Sequence, residues 1–240
     1  MVKHSTNPAS HLQIISEWEI PWIGESGGRR SKLLFDESKS SLQIALEDYD
    51  RGSIFCRLNT LGWEEILAWK GRWFHHQTEY TGSYFLLAPG EEFDFWTAGE
   101  EGCQLLRISR TASLFGTSMS RGRDTQGKSS IKPLQYSQLA WKEIPQRRLN
   151  DPGSRIAELS RTSDGTFVTS LMDCRSGWIL DEHQHPSKVI SYCFLGGGIL
   201  TGEQNEVRFG AGQMVVIPAG TSHAFRTGFG GASILVCTMP

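Results

Sequence analysis

Short apolar runs recur along the whole chain, separated by polar and glycine-rich punctuation. They include "LQIALE", "SIFCRL", "SYFLLAP", "CQLLRI", "TFVTSL", "MVVIPA" and "SILVCT". Runs of roughly four to eight apolar or alternating residues bounded by turn signals read as β-strands. Few long segments repeat their apolar positions at helical spacing. The pattern predicts an all-β protein, a sandwich or barrel.

The pattern also repeats. "EWEIPW" begins at residue 17 and "AWKEIPQ" at residue 140. The stretch "GSYFLLAPGEEFDFWTAGEEGCQLL" (82–106) resembles "AGQMVVIPAGTSHAFRTGFGGASIL" (211–235). Each has a small-residue turn, an apolar strand, a proline, a polar turn, a glycine loop and a second apolar strand. The chain therefore reads as two copies of one β-domain, 12–112 and 138–240. The serine-, glycine- and charge-rich segment 113–137 between them reads as a linker. "GRWFHHQTEY" and "FLGGGIL" both read as hairpin turns.

Composition narrows the function. The chain has 240 residues, with 24 Lys and Arg against 26 Asp and Glu. It shows no basic footprint for nucleic acid, and "RGRDTQGK" reads as a solvated part of the linker. No apolar run approaches a membrane span, and the N-terminus lacks the apolar core of a secretory signal. Five cysteines without a CxxC pair argue against a disulfide framework and a structural zinc cluster. The expectation is a cytoplasmic protein with reduced, mostly buried thiols. There is no GxSxG, no phosphate-binding glycine loop and no dinucleotide fingerprint.

The second copy carries the strongest chemical signal. Gly177 is followed after five residues by His183, one residue later by His185, then by Val189 and Gly196. Further on come Gly212, Pro218, Gly220 and His223. Residues i and i+2 of a strand share a face, so His183 and His185 can reach one ion. His223 would join them from a distant strand set alongside by the proline–glycine turn. Asp181 has the parity to lie near the site. His4, His11, His75 and His76 read as bystanders.

These spacings resemble the two motifs of the cupin superfamily, G-x5-H-x-H-x3,4-E-x6-G and G-x5-P-x-G-x2-H. The resemblance implies two tandem cupin barrels, also called double-stranded β-helices or jelly rolls. It implies metal ligands at His183, His185 and His223. Val189 stands where the family usually has glutamate.

In the first copy the equivalent positions are Gly52, Leu58, Thr60, Glu64 and Gly71, with Asp94 in the place of His223. Leucine and threonine for histidine predict a degenerate barrel without metal. Glu64 is not expected to complete the second barrel's site. "EEILAWKG", "TEYTGSYFLLAPGEEF" and "EGCQLL" resemble the cupin domain of ChrR-type anti-sigma regulators. The zinc-binding His-x3-Cys-x2-Cys segment of those regulators is missing, so anti-sigma activity is not implied.

Three neutral histidines leave a divalent ion its full charge and open positions. The three-His variant resembles cupin thiol dioxygenases and β-diketone-cleaving dioxygenases, which favours Fe(II) over Zn, Ni, Mn or Cu. Strand parity puts Ser191, Cys193 and Leu195 inward from Val189, and Thr221 and Phe225 inward from His223. Ser191, Cys193 and Phe225 are the candidate substrate-pocket residues. The expected function is a metal-dependent bicupin enzyme, of dioxygenase type, acting on a small organic molecule. A lyase, an isomerase, or a non-catalytic ChrR-like regulator or ligand sensor are the alternatives. The partner is a small-molecule substrate rather than nucleic acid or membrane. The first barrel would be structural, covering a face of the second or supplying a homodimer surface.

Overall fold

The computed structural model describes residues 12–24, 27–37, 42–57, 62–75, 77–89, 93–111, 119–121, 133–144, 153–202 and 206–239. Nearly every regular element is a strand. In chain order the first half contains β1 (Gln13–Ser16), β2 (Ile23–Gly24), β3 (Arg29–Glu37), β4 (Leu42–Tyr49) and β5 (Ile54–Arg57). These are followed by β6 (Gly62–His75), β7 (Thr78–Tyr80), β8 (Ser83–Leu87), β9 (Phe93–Thr111) and β10 (Met119–Arg121). The second half contains β11 (Leu134–Gln135), β12 (Lys142–Ile144), β13 (Ser154–Thr162), β14 (Val168–Cys174) and β15 (Ile179–His183). It ends with β16 (Lys188–Gly202), β17 (Glu206–Gly210), β18 (Gln213–Ile217) and β19 (His223–Met239). Each of the seven apolar runs quoted above overlaps a strand.

The strands form two compact units, each a barrel of the jelly-roll type. In one, the order is β11-β8-β6-β9-β4-β3-β2, with β5 on β9 and β7 on β6. In the other, β1-β18-β16-β19-β14-β13 repeats that path, with β15 on β19 and β17 on β16. The internal repeat in the sequence is thus a repeat of topology.

One strand of each barrel comes from an unexpected place. β1 stands at the head of the first copy but pairs with β18, Ile14 opposite Val215. Leu12, just before it, and Ile14 within it pack on the apolar core of the second unit. β11, within the expected linker, pairs with β8, Leu134 opposite Tyr84. Alternation marks a segment as a strand but does not name its neighbour.

The interior of the first barrel is aromatic. Tyr49, Phe55 and Trp73 meet edge to face at 5.4–5.8 Å, and Phe85 meets Trp96 at 5.0 Å. The second interior has fewer aromatics, Trp178, Phe209 and Phe225, set among Val189, Leu200, Val215, Ile217 and Ile234.

The long strands bend rather than end. "FLGGGIL" is not a hairpin turn: β16 runs through it, with register shifts at Cys193/Leu195 and Gly196/Gly198. Gly196 sits at φ +71°, and a Cβ there would strike the carbonyl oxygen of Gly231. Gly71 and Gly102 make the same close approach in the first unit, with Gly71 at φ +81°. Glycine at these places lets β16 and β19 cross tightly and swing from one wall of the barrel to the other. The same shift overturns the inward placement of Leu195, which is 68% exposed.

Candidate metal centre

The three histidines come together at one end of the second barrel. β15 pairs antiparallel with β19 so that His183 lies directly opposite His223. His185 follows two residues later, and its carbonyl accepts a hydrogen bond from Gly220 N at 2.7 Å. That bond ties the segment to the Pro218–Gly220 turn, which also closes on itself through Thr221 N to Pro218 O at 3.2 Å. On the outer face, Ser222 Oγ donates to Glu182 Oε1 at 2.7 Å, fastening the two histidine-bearing segments again.

The ring nitrogens divide their tasks. His183 Nδ1 lies 2.8 Å from the carbonyl oxygen of Asp181, and His223 Nδ1 lies 3.0 Å from that of Thr221. A carbonyl only accepts, so both Nδ1 atoms carry the proton and both Nε2 atoms present a lone pair. His183 Nε2 and His185 Nε2 are 3.1 Å apart, and ligand atoms of all three residues lie within 4.8 Å of one another. Among the described residues this is the one cluster of its kind.

Burial favours the neutral rings. His223 is 4% exposed, whereas His183 and His185 are half-buried. Desolvation, then the nearby His183 and His223, pull His185 down to about 4. Desolvation also lowers His223, with a smaller push from His183 and an opposing pull from the Thr221 carbonyl. Both are neutral at physiological pH, the form that binds metal.

The arrangement fits a transition-metal ion. Two nitrogens each about 2.1 Å from one ion stand about 3.0 to 3.4 Å apart at right-angled to tetrahedral bond angles. The His183–His185 separation of 3.1 Å falls in that interval. The anchoring of Nδ1 to carbonyls is the usual support for a metal-binding imidazole. Asp181, expected near the site, contributes its backbone oxygen.

The other singled-out residues fall as follows. Val189 is buried in β16, opposite Ile217 and Thr238. Ser191 is half-buried, Phe225 is 6% exposed, and Cys193 is fully buried. The Cys193 thiol points to the carbonyls of Leu195 at 3.4 Å and Gly196 at 3.7 Å. Burial raises its pKa to about 11. Thr221 is buried as expected. His75 stacks on Trp96 at 4.5 Å in the first unit. His4, His11, Leu58, Thr60 and His76 lie outside the described residues, as does the Asp94 side chain.

One cluster was not foreseen. Inside the first barrel Glu47 pairs with Arg29 and with Arg107, both at 2.7 Å, and Arg107 stands 3.7 Å from Glu64. Tyr49 Oη donates to Glu47 at 2.9 Å. By register Glu64 occupies the place of Val189, Arg107 that of Val236, and Glu47 that of Met172. Each looks like an ordinary alternating surface charge in sequence. The only available signal was three charges at positions where the second copy has apolar residues.

Residues 170–238 match the family model of the cupin domain. Among solved structures, the chain resembles the cupin 2 conserved barrel domain protein from Leptotrichia buccalis at 12% identity, TM-score 0.60, covering 95% of this chain and 96% of that one. It resembles Lactobacillus farciminis oxalate decarboxylase, solved as a formate complex, at 15% identity, TM-score 0.66, covering 98% and 88%. A candidate dioxygenase from Nostoc punctiforme matches at 12% identity, TM-score 0.68, covering 96% and 83%. Likeness at this identity carries the fold: two tandem cupin barrels, the second bearing the cupin-domain signature. A comparison with curated protein sequences finds no match.

Proposed function

We propose that the second barrel holds one divalent ion, iron(II) by preference, on His183, His185 and His223, and that the protein is an enzyme of dioxygenase type acting on a small organic substrate. The observation that carries this reading is the pair of carbonyl-anchored Nδ1 atoms. They commit His183 and His223 to present Nε2 lone pairs beside His185. A bound ion would supply a Lewis acid and, as iron(II), a reductant toward dioxygen. The chain supplies the rest. The i−2 carbonyls fix the ring planes, and burial keeps His185 and His223 unprotonated. The half-buried edge formed by His183 and His185 leaves a way in for a substrate. The apolar interior behind them limits water.

Elemental analysis of the purified protein beside His183→Ala tests the reading. About one equivalent of iron, lost in the variant, together with metal-dependent oxygen uptake on a screened substrate, supports it. Zinc or nickel in place of iron redirects it to a lyase or isomerase. Metal and ligand binding without turnover would make the protein a sensor. No metal after anaerobic reconstitution refutes it.

A further inference from the structure

On the reading that the three histidines hold an ion, we infer that the ligand brought to it carries its metal-binding head on an uncharged, apolar body. β16 bends through a register shift at Gly196–Gly198, and β19 bends opposite it between Thr227 and Ala232. Val189, four residues after His185, pairs with Thr238 on β19, the strand that opens with His223. His223 shares its face with Phe225, two residues on, which belongs to the inward cluster with Val189, Ile217 and Val236. Ser170 and Ser191 flank Val236 on the same face, and Ser191 and Val236 are half-buried. What stands behind the histidines is therefore apolar, with two hydroxyls.

The same chain contains its own comparison. At the matching positions the first barrel buries Glu64 and Glu47 and half-buries Arg107, each set against an opposite charge. A barrel of this topology accepts internal charge when it is paired there. Among the described residues of the second unit, no lysine or arginine is buried. A ligand with a charged tail would lose its hydration in this interior and meet no counter-charge. A neutral ring or alkyl chain would gain from the valines, and a neutral carbonyl or hydroxyl on it could pair with Ser170 or Ser191.

The test uses the full chain loaded with cobalt(II) and two chelators that share one head. Benzohydroxamate has a phenyl body, whereas the monohydroxamate of succinic acid ends in a carboxylate. Calorimetry is expected to give a dissociation constant at least about ten-fold lower for benzohydroxamate. Equal affinities, or a preference for the carboxylate, overturn the inference while leaving the metal site standing. Cobalt that is not retained by the wild type overturns both. Val236→Arg places a cation where the first barrel keeps Arg107 and is expected to abolish or reverse the preference. A variant with a native circular-dichroism spectrum and an unchanged ratio counts against the inference. If that variant fails to fold, the wild-type comparison decides alone.

Discussion

His183 and His223 face each other across one rung of the β15–β19 ladder, and each turns its Nδ1 to the carbonyl oxygen two residues before it. Among the described residues no such carbonyl holds His185, whose ring meets the other two histidines. The three ligands are therefore unequal. Replacing His183 or His223 with alanine is expected to weaken metal binding by about 100-fold or more, and His185→Ala by about ten-fold. Competition titration against a chromophoric chelator measures this, and equal losses at all three positions would contradict it.

Metal should also stabilise the fold. An ion that binds only the native state adds about 2.7 kcal/mol at 100 times its dissociation constant. The melting temperature should rise with added metal, fall back with chelator, and stay flat in His223→Ala. Differential scanning calorimetry reads all three.

The thiols should be silent in the native protein. Burial lifts Cys193 to about 11 and Cys174 to about 12, and raises Cys103 further. A thiol reagent at pH 8 should modify these three only after denaturant is added. The raised values also fix a sign. The folded state keeps protons that the unfolded state releases near pH 9, so stability is fully present below that pH and declines as pH rises toward 11 and 12. Urea midpoints at pH 7.5 and 10 check this.

Glu65 and Arg110 form an ion pair with side chains 2% and 1% exposed, and Tyr84 Oη donates to Glu65 at 2.8 Å. Arg110→Met strands a buried carboxylate and should cost about 3–5 kcal/mol in urea unfolding. Adding Glu65→Gln should recover a large part of that loss. A single variant as stable as wild type would show that the pair is dispensable.

Gly196→Ala places a methyl group against the carbonyl of Gly231 at a positive φ. The strain should destabilise the second unit by more than about 1 kcal/mol. Gly177→Ala has the same φ sign but open space around its Cβ, so it should cost less. Paired melting curves compare the two.

The strands were legible because each apolar run is bounded by turn residues, and the convergence of His183, His185 and His223 because they recur at the spacing of the cupin motifs. The bend at "FLGGGIL" was not, since three glycines permit a reversal and a sheet crossing alike. Leu195 was misplaced for the same reason: parity fails wherever a bulge inserts a residue. The Glu47–Arg107–Glu64 cluster draws on three separate strands, and pairing between strands leaves no local mark. The carbonyls of Asp181 and Thr221 were invisible because every residue has one.

The pairing of β1 with β18 has a consequence for how the chain is made. On the ribosome Gln13–Ser16 emerges long before its partner Gln213–Ile217. The strand must wait, unpaired, while nearly 200 residues are synthesised. The second barrel therefore closes only once β18 has been made. A fragment starting at residue 138, where the sequence repeat begins, would present β18 as a bare sheet edge to any passing chain.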